Sequence, residues 1–238
     1  MAELHTVKRA IIMAAGIGKR MQPLTFEIPK PLVHVNGVRM IDTVINGLHL
    51  NGIDEIYAVV GHLKEQFYDW VESWPGVKLI ENPYYDSCNN ISSLYVAREH
   101  LEDVIILDGD QMIYNPEILD PHFKLSGYNA IWREEQTEEW LMDVQDGIVK
   151  SCSRTGGARG WQLFSISRWS AEDGKKLKYY LEYEFERGNR QIYWDDVPMF
   201  CHFDDFQLGI REMKPADVIE IDSLEELAAI DSSYQKYL

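Results

Sequence analysis

The chain has 238 residues, 45% of them hydrophobic and 26% charged, which is ordinary for a globular protein and excludes a disordered one. Its formal net charge of -16 disfavours a nucleic-acid partner, because binding a polyanion requires a basic surface. No apolar run is long enough to span a membrane, and the N-terminus lacks the layout of a signal peptide. We therefore expect no membrane insertion and a cytoplasmic location.

The charge distribution and the cysteines indicate which ligands the protein binds and the redox state of its thiols. Residues 1–40 contain six basic residues but only two acidic ones, so the rest of the chain is strongly acidic. This distribution favours a small anion near the N-terminal segment and metal cations elsewhere. The three cysteines, Cys88, Cys152 and Cys201, are odd in number and scattered, which indicates reduced thiols and neither a disulfide framework nor a zinc site.

Short apolar strands alternate with helical patterns through the first half of the chain. The strands are predicted at 8–14, 54–60, 77–80 and 103–107, and the helices at 38–50, 63–73 and about 90–101. Such alternation predicts an α/β protein with a Rossmann-like, mostly parallel sheet between two layers of helices. Ligands of these folds bind beyond the carboxyl ends of the strands, where the loop after 8–14 and the pair Asp108 and Asp110 lie.

The second half is less regular and is predicted to form a small α+β lobe that binds substrate. Strand-like runs occupy 128–133, 147–152, 161–167 and 206–212, and helical patterns cover about 170–186 and 223–237. Ser223 and Glu226 have the spacing of a capping box at the start of the last helix. The absence of a repeat or a linker-like stretch favours a single domain, 1–238.

A small-residue turn directly after the first buried strand is a candidate anion site. The segment 14–25 (AAGIGKRMQPLT) lets the backbone approach a phosphate, and its free N–H groups can bind one. The Rossmann fingerprint fails because Met21 replaces the third glycine, and the P-loop fails because Arg20, not Ser or Thr, follows Lys19. The residues allow either a cationic phosphate cradle or a tight turn with two surface charges.

Lys30 is the next candidate, because it stands between two prolines. Pro29 and Pro31 have fixed φ angles and no N–H group, so the backbone around Lys30 is extended and stiff. A lysine held in this way suits the stabilisation of charge that develops on a transferring phosphoryl group. The alternative is an exposed lysine in a proline turn.

The sequence Asp108-Gly109-Asp110 ends a predicted buried strand and is a candidate metal site. Mg²⁺ prefers carboxylate oxygens together with substrate phosphates, and a strand-end aspartate supplies such oxygens. The alternative is a turn aspartate that caps its own loop.

Taken together, the glycine turn, Arg20, the step 23–25 (PLT) and the Pro-Lys-Pro step resemble the sugar-nucleotide pyrophosphorylase-like nucleotidyltransferases. The resemblance implies the nucleotidyltransferase fold, with about 1–125 binding nucleotide and about 126–238 binding the acceptor. It implies that the loop around the triphosphate is formed by Ala14, Ala15, Gly16, Gly18 and Arg20.

The same resemblance implies the catalytic groups. Lys30 would contact the α-phosphate under attack, and Arg20 and Asp110 would be catalytic with it. Asp110 would bind Mg²⁺ together with a distant second carboxylate, either Asp195 or, as the less favoured choice, Asp196. Lys19 departs from the small hydroxyl residue usual at its position, so its side chain is given no role.

Aromatic residues lie beside acids at two places in the second half. Most aromatic side chains there are expected to be core, but 138–140 (EEW) and 193–196 (YWDD) combine aromatic faces with carboxylates. A quaternary ammonium group prefers such an environment. Phosphocholine carries that group next to a phosphate, so it suits a site that also needs a metal.

Over nearly the whole chain, the sequence is similar to the single-domain bacterial CTP:phosphocholine cytidylyltransferases. The similarity is carried by the stretches MAAGIGKRMQPLT, PKPLV, VGHLKEQF, NNISSLY, LDGDQ, EEWL, YWDD and IEIDS. It implies that Trp140 and Tyr193 cage the choline headgroup. It also implies that the pyrimidine is read by Asn82, Asn89, Asn90 and Ser92.

The expected reaction is attack of a phosphocholine oxygen on the α-phosphorus of CTP, giving CDP-choline and pyrophosphate with Mg²⁺ as cofactor. One alternative is the same fold acting on aminoethylphosphonate, phosphoethanolamine or a sugar 1-phosphate. A second is a nucleotide-binding regulatory module without turnover. The sequence leaves the oligomeric state and the downstream pathway open.

Overall fold

The computed structural model describes residues 4–238, which form fifteen strands and five α-helices. In chain order the strands are β1 (His5–Thr6), β2 (Arg9–Ala14), β3 (His34–Val35), β4 (Val38–Arg39), β5 (Glu55–Val60), β6 (Val77–Glu81), β7 (Val104–Asp108), β8 (Gln111–Ile113), β9 (His122–Phe123), β10 (Gly127–Arg133), β11 (Leu141–Gln145), β12 (Ile148–Ser153), β13 (Gly160–Trp169), β14 (Gly209–Glu212) and β15 (Val218–Glu220). The α-helices are α1 (Met40–Leu50), α2 (Glu65–Val71), α3 (Ile91–Val96), α4 (Ala171–Glu186) and α5 (Leu224–Ile230).

A nine-stranded sheet runs through the molecule in the order β10-β14-β12-β11-β13-β7-β2-β5-β6. Its strands β7, β2, β5 and β6 are parallel neighbours, which is the Rossmann-like part predicted from the alternating pattern. From β13 onwards the neighbours are mainly antiparallel, so the sheet is mixed. The predicted α/β class is confirmed, and the parallel character is concentrated in the first half.

Strand β2 occupies the centre because both of its faces are apolar. Alternate side chains of a strand point to opposite faces, so Ile12 packs with the core on one side and Ile11 with the core on the other. Helices α1 and α2 cover the first face, while α3 and α4 cover the second. A strand that is buried on both faces needs the near-continuous apolar run found at 10–14.

The predicted helix ends shift where local hydrogen bonding decides them. The helix predicted at 38–50 begins at Met40, because Val38–Arg39 pairs with β3 as a short hairpin. The helix expected to reach residue 101 ends at Val96 and is followed by a separate 3₁₀ turn. The capping box at Ser223 and Glu226 is present, with each side chain accepting a hydrogen bond from the other's backbone N–H.

Strand β11 was not predicted, although it lies inside the sheet. It pairs with β12 and, through its first two residues, with β13. Its sequence LMDVQ buries only Leu141 and Met142 fully, so it lacks the alternating pattern that identifies a half-buried strand. Partner strands rather than its own pattern make this segment extended.

The strand ends that matter for function lie at one edge of the molecule. β7 ends at Asp108, and the next strand, β8, pairs antiparallel with β15 so that Gln111 faces Glu220. This register places Glu220 beside the turn that carries Asp110. Within residues 4–238, no helix is both long enough and apolar enough to cross a membrane.

Candidate active site

The loop after β2 forms one wall of a deep cleft, and Gly18 is the residue that its path requires. Gly18 has a left-handed φ of 66°, and a Cβ at that position would lie 2.9 Å from Cγ2 of Thr25. The Thr25 hydroxyl donates a hydrogen bond of 2.8 Å to the Gly18 carbonyl, which fixes the return of the chain. Only glycine satisfies both the backbone conformation and the close approach.

Lys30 lies buried beneath this loop and bridges two carboxylates. Its Nζ is 2.6 Å from Oδ2 of Asp110 and 2.8 Å from Oδ1 of Asp222. Burial alone lowers the pKa of Lys30, but the charges of Asp110 and Asp222 outweigh it and raise that pKa. Lys30 is therefore an ammonium group at neutral pH, held at the floor of the cleft.

Arg20, in the glycine loop, also pairs with Asp222. Its Nη2 is 2.9 Å from Oδ1 of Asp222, and its side chain is 71% exposed. An exposed ion pair of this kind contributes little to stability, about 0–1 kcal/mol. The guanidinium can therefore exchange Asp222 for an incoming anion at little cost. The structure thus brings the predicted residues Arg20, Lys30 and Asp110 together around Asp222.

Three carboxylates gather at the strand ends. One oxygen each of Asp108, Asp110 and Glu220 lies within 4.8 Å of the others. Burial, followed by the charges of neighbouring carboxylates, raises the pKa of both Asp108 and Glu220. Oδ1 of Asp110 is buried without a hydrogen-bond partner. This donor set of carboxylate oxygens, one of them unpartnered, fits Mg²⁺.

Asp195 and Asp196 are placed differently from each other. Asp195 contributes no oxygen to the group of three, although burial raises its pKa to about 7 and its charge is felt by Asp108. Asp196 accepts hydrogen bonds from the side chain of Arg154 and from the backbone N–H of Tyr193. The carboxylate that shares Lys30 with Asp110 is Asp222, and the role of Asp195 as a metal ligand stays a prediction.

The cleft has a volume of about 580 Å³, and the segment 85–90 forms another part of its wall beside the glycine loop. The four residues predicted to read the pyrimidine meet at this wall, but their side chains also hold the wall itself. The Asn82 amide nitrogen donates to the Ser92 hydroxyl at 3.0 Å, and that hydroxyl donates to the Asn89 carbonyl at 2.8 Å. The Asn90 side-chain oxygen accepts from the backbone N–H of Trp194 at 2.8 Å.

The predicted cage residues Trp140 and Tyr193 pack against each other. The rings of Trp140 and Tyr193 are 5.9 Å apart and edge to face, and Tyr193 lines the cleft. Phe200 joins them, with its ring 5.2 Å from that of Trp140. We call Trp140, Tyr193 and Phe200 the aromatic corner.

The sequence did not single out four residues of this site. Glu220 and Asp222 could have been found, because they alternate with apolar residues at the end of a short strand in the stretch IEIDS. Phe200 and Arg154 carried no signal, since one lies in an irregular turn and the other follows a strand far away in sequence. Only folding brings them to the aromatic corner.

The chain is similar to known proteins over most of its length. A family model for the MobA-like NTP transferase domain matches residues 10–171. The chain is 40% identical over 228 residues to a protein of Lancefieldella rimae named 2-aminoethylphosphonate cytidylyltransferase, and the match covers 94% of this chain and 92% of that one. It is 31% identical over 230 residues to choline-phosphate cytidylyltransferase of Streptococcus pneumoniae, over 94% of this chain and 96% of the relative.

A solved structure is similar to this one over nearly the whole chain. The structure of CTP:phosphocholine cytidylyltransferase from Streptococcus pneumoniae superposes with a TM-score of 0.86 at 30% identity, covering 96% of this chain and 99% of that one. The similarity therefore extends over both halves of the molecule.

Proposed function

The protein belongs to the MobA-like NTP transferase family and is a nucleotidyltransferase, and on that premise we propose that it transfers CMP from CTP to a small zwitterionic acceptor. The acceptor has a phosphate or phosphonate at one end and a cationic amine at the other. The predicted resemblance to the bacterial cytidylyltransferases is confirmed. A nucleotide-binding module without turnover, the alternative from another class, no longer applies.

The observation that carries the proposal is the position of Lys30. A buried ammonium group lies within 2.8 Å of two carboxylates and below a glycine loop suited to phosphates. The relatives that span the chain, at 40% and 31% identity, are both named cytidylyltransferases, which supports CTP as the nucleotide.

In the proposed mechanism the chain positions reactants and neutralises charge. Backbone N–H groups of the glycine loop bind the β- and γ-phosphates, and Lys30 and Arg20 offset the negative charge that develops around the α-phosphorus. An oxygen of the acceptor's phosphate or phosphonate forms a bond to that phosphorus, while the bond to the bridging oxygen breaks and pyrophosphate leaves. The attacking oxygen is already ionised, so the reaction needs no general base.

Mg²⁺ fits the carboxylates of Asp110, Asp108 and Glu220, with Asp222 beside them. When bound, it supplies positive charge that withdraws electrons from the phosphate oxygens. Lys30 offsets only part of the negative charge of these acids and of a triphosphate, which is why we propose a divalent ion as cofactor.

The acceptor has two candidates. Phosphocholine follows from the aromatic corner and from the relatives named choline-phosphate cytidylyltransferases. The second, 2-aminoethylphosphonate, follows from the relative at 40% identity. A sugar 1-phosphate would need polar residues for its hydroxyl groups where the corner presents aromatic rings. The three cysteines are free thiols, which supports the proposal of a cytoplasmic enzyme.

The test is pyrophosphate release by the purified protein with CTP and Mg²⁺ in the presence of each acceptor: phosphocholine, 2-aminoethylphosphonate, phosphoethanolamine and glucose 1-phosphate. We expect release with at least one zwitterionic acceptor and much less with UTP or ATP in place of CTP. Asp110→Asn is expected to abolish release, whereas Asp69→Asn, at an exposed position on α2, should not change it. Release only with glucose 1-phosphate would refute the proposal.

A further inference from the structure

The aromatic corner already holds a cation that belongs to the chain. The Cζ of Arg154 lies 3.7 Å from the ring centroid of Phe200 and 5.9 Å from that of Trp140. Both distances are within the range of a cation–π contact. The guanidinium therefore occupies the kind of position in which a trimethylammonium group would bind.

A buried carboxylate holds Arg154 in this position. The Nε of Arg154 donates a hydrogen bond of 2.8 Å to Oδ1 of Asp196, a residue that is only 4% exposed. The other oxygen of Asp196 accepts the backbone N–H of Tyr193 at 2.8 Å. Asp196 thus ties the arginine to the backbone of the corner itself, and leaving that acid unpaired would be costly.

We propose, on the basis of the proposed function, that Arg154 is a specificity-determining residue that excludes quaternary ammonium acceptors and selects primary amines. A trimethylammonium group has no N–H and gains its affinity from aromatic faces and from charge. Here Arg154 partly covers the ring faces of Phe200 and Trp140. A trimethylammonium group would therefore meet the positive guanidinium first. A matching acceptor with a primary amine does not depend on the corner, because its three N–H donors can bind carboxylates directly.

Carboxylates that could accept hydrogen bonds from such an amine lie next to the cleft. A second pocket of about 410 Å³ adjoins the cleft and shares Glu220 and Asp222 with it. Its lining adds Glu135, Glu139 and Glu226. A primary ammonium group can donate to these oxygens, and a quaternary one cannot. The choice between the two acceptor classes is thereby a choice between hydrogen bonds and aromatic contact.

The alternative is that Arg154 only pins the turn that carries Asp196. In that case its removal would weaken the reaction with every acceptor alike. The two roles are separable because phosphoethanolamine and phosphocholine differ only in the methyl groups on nitrogen.

The experiment measures kcat/KM for phosphoethanolamine, phosphocholine and 2-aminoethylphosphonate in the wild type, in Arg154→Leu and in the double variant Arg154→Leu/Asp196→Asn. Arg154→Leu alone leaves the buried charge of Asp196 unpaired. The double variant removes that charge and replaces the single variant in the comparison if the single variant is unstable. Arg159→Leu, an exposed arginine in the same loop, is the matched control. Melting temperatures establish that each variant is folded.

We expect the wild type to prefer phosphoethanolamine over phosphocholine by about tenfold or more, the scale of one cation–π contact of ~1.4 kcal/mol. We expect the Arg154 variants to raise the phosphocholine to phosphoethanolamine ratio by a similar factor, with the KM for CTP and the control unchanged. A wild type that prefers phosphocholine, or variants that lose activity equally with all acceptors, would overturn the inference and leave cytidylyl transfer intact. Failure to release pyrophosphate with any acceptor would overturn the proposed function and this inference with it.

Discussion

At the scale of single residues, the environment of Lys30 explains why one lysine among many is suited to catalysis. The prolines on either side set its backbone, and ion pairs with Asp110 and Asp222 hold its ammonium at a fixed point in the cleft. A preorganised charge costs no reorganisation when negative charge develops on the reacting phosphorus. The sequence predicted that Lys30 belongs to the site. Its ion pairs with Asp110 and Asp222 could be seen only in the folded structure.

The first prediction concerns Lys30→Ala. We expect kcat to fall by about 100- to 1,000-fold, the scale found when one preorganised group is removed from a transition state. The KM for CTP should change much less, because the glycine loop still binds the triphosphate. Steady-state kinetics at varied CTP concentration measures both quantities.

The control for that prediction is Lys19→Ala, at an exposed position of the glycine loop that lines the same cleft. It should retain most of the wild-type kcat. If saturating CTP restored the activity of Lys30→Ala, the lysine would be a binding residue, and the proposed catalytic role would be wrong.

The predicted base-reading residues show how a motif can identify a site without fixing the task of each side chain. Asn89 and Asn90 lie in the cleft wall as expected, yet their side-chain oxygens accept the backbone N–H groups of Asn90 and Trp194. Asn82 donates to two serine hydroxyls. Their contact with a pyrimidine stays a prediction, and their observed bonds maintain the shape of the wall.

At the scale of elements, the end of α4 is tied to the turn that carries Phe200 of the aromatic corner. Glu184, near the last turn of the helix, is 1% exposed. Its carboxylate oxygens accept hydrogen bonds from Asn189 and pair with Arg187 and His202. His202 directly follows the turn Val197–Cys201, so this one acid connects the helix end to that turn.

The second prediction is a pH dependence of stability that depends on Glu184. Burial alone raises the pKa of Glu184, but hydrogen bonds from Asn189 and His202 and the charge of Arg187 outweigh it and lower that pKa below its ordinary value. A depressed carboxyl pKa adds stability above the unfolded-state pKa of about 4.3, and the added stability is lost as the pH falls through the folded-state pKa.

Glu184→Gln is therefore expected to lower the free energy of unfolding at pH 7 by about 1–3 kcal/mol, the scale of hydrogen bonds to a charged group. The difference from wild type should shrink at pH values below about 4. Urea unfolding at several pH values measures it. Glu186→Gln, exposed two residues further on, is the control and should show little difference at any pH. A deficit that stays constant down to acid pH would show that the charge of Glu184 is not responsible.

At the scale of the whole molecule, the cleft proposed as the active site is assembled from both halves of the chain. The glycine loop, Lys30 and Asp110 come from the first half, while Glu220 and Asp222 come from the end of the second. The hydrogen bond between Lys30 and Asp222 spans 192 positions of sequence. Bound nucleotide and metal should therefore stabilise the entire fold rather than one lobe.

The third prediction follows from this arrangement. With CTP and Mg²⁺ at about 100 times their dissociation constant, the free energy of unfolding should rise by about 2.7 kcal/mol. For a chain of this size that corresponds to a melting temperature about 5–10 °C higher. Differential scanning fluorimetry with and without EDTA measures the shift.

Removing the metal should reduce that shift, because the triphosphate would then face uncompensated carboxylates. Asp110→Asn is expected to lose the magnesium-dependent part, since Asp110 carries the unpartnered oxygen of the cluster. A shift of equal size in EDTA would contradict the assignment of Mg²⁺ to this cluster.

The sequence by itself determined the features that are local. The apolar run of β2, the glycine turn, the Pro-Lys-Pro step and the strand-end aspartates each follow from neighbouring residues, so the α/β class and the positions of Arg20, Lys30 and Asp110 could be predicted. Strand β11 and the true length of α3 could not, because pairing with other strands and local turn bonding decide them.

Only the tertiary structure decided which distant groups complete the site. Asp222 lies beside Lys30, and Arg154 covers Phe200 at the aromatic corner, because folding brings together segments that are far apart in sequence. The stretch IEIDS marks Asp222 as a candidate and no local pattern marks Arg154, but in neither case does the neighbouring sequence specify the partner. Periodicity and turn chemistry act over a few residues, whereas the charge balance of an active site is set by whichever side chains the folded backbone brings within a few ångströms of one another.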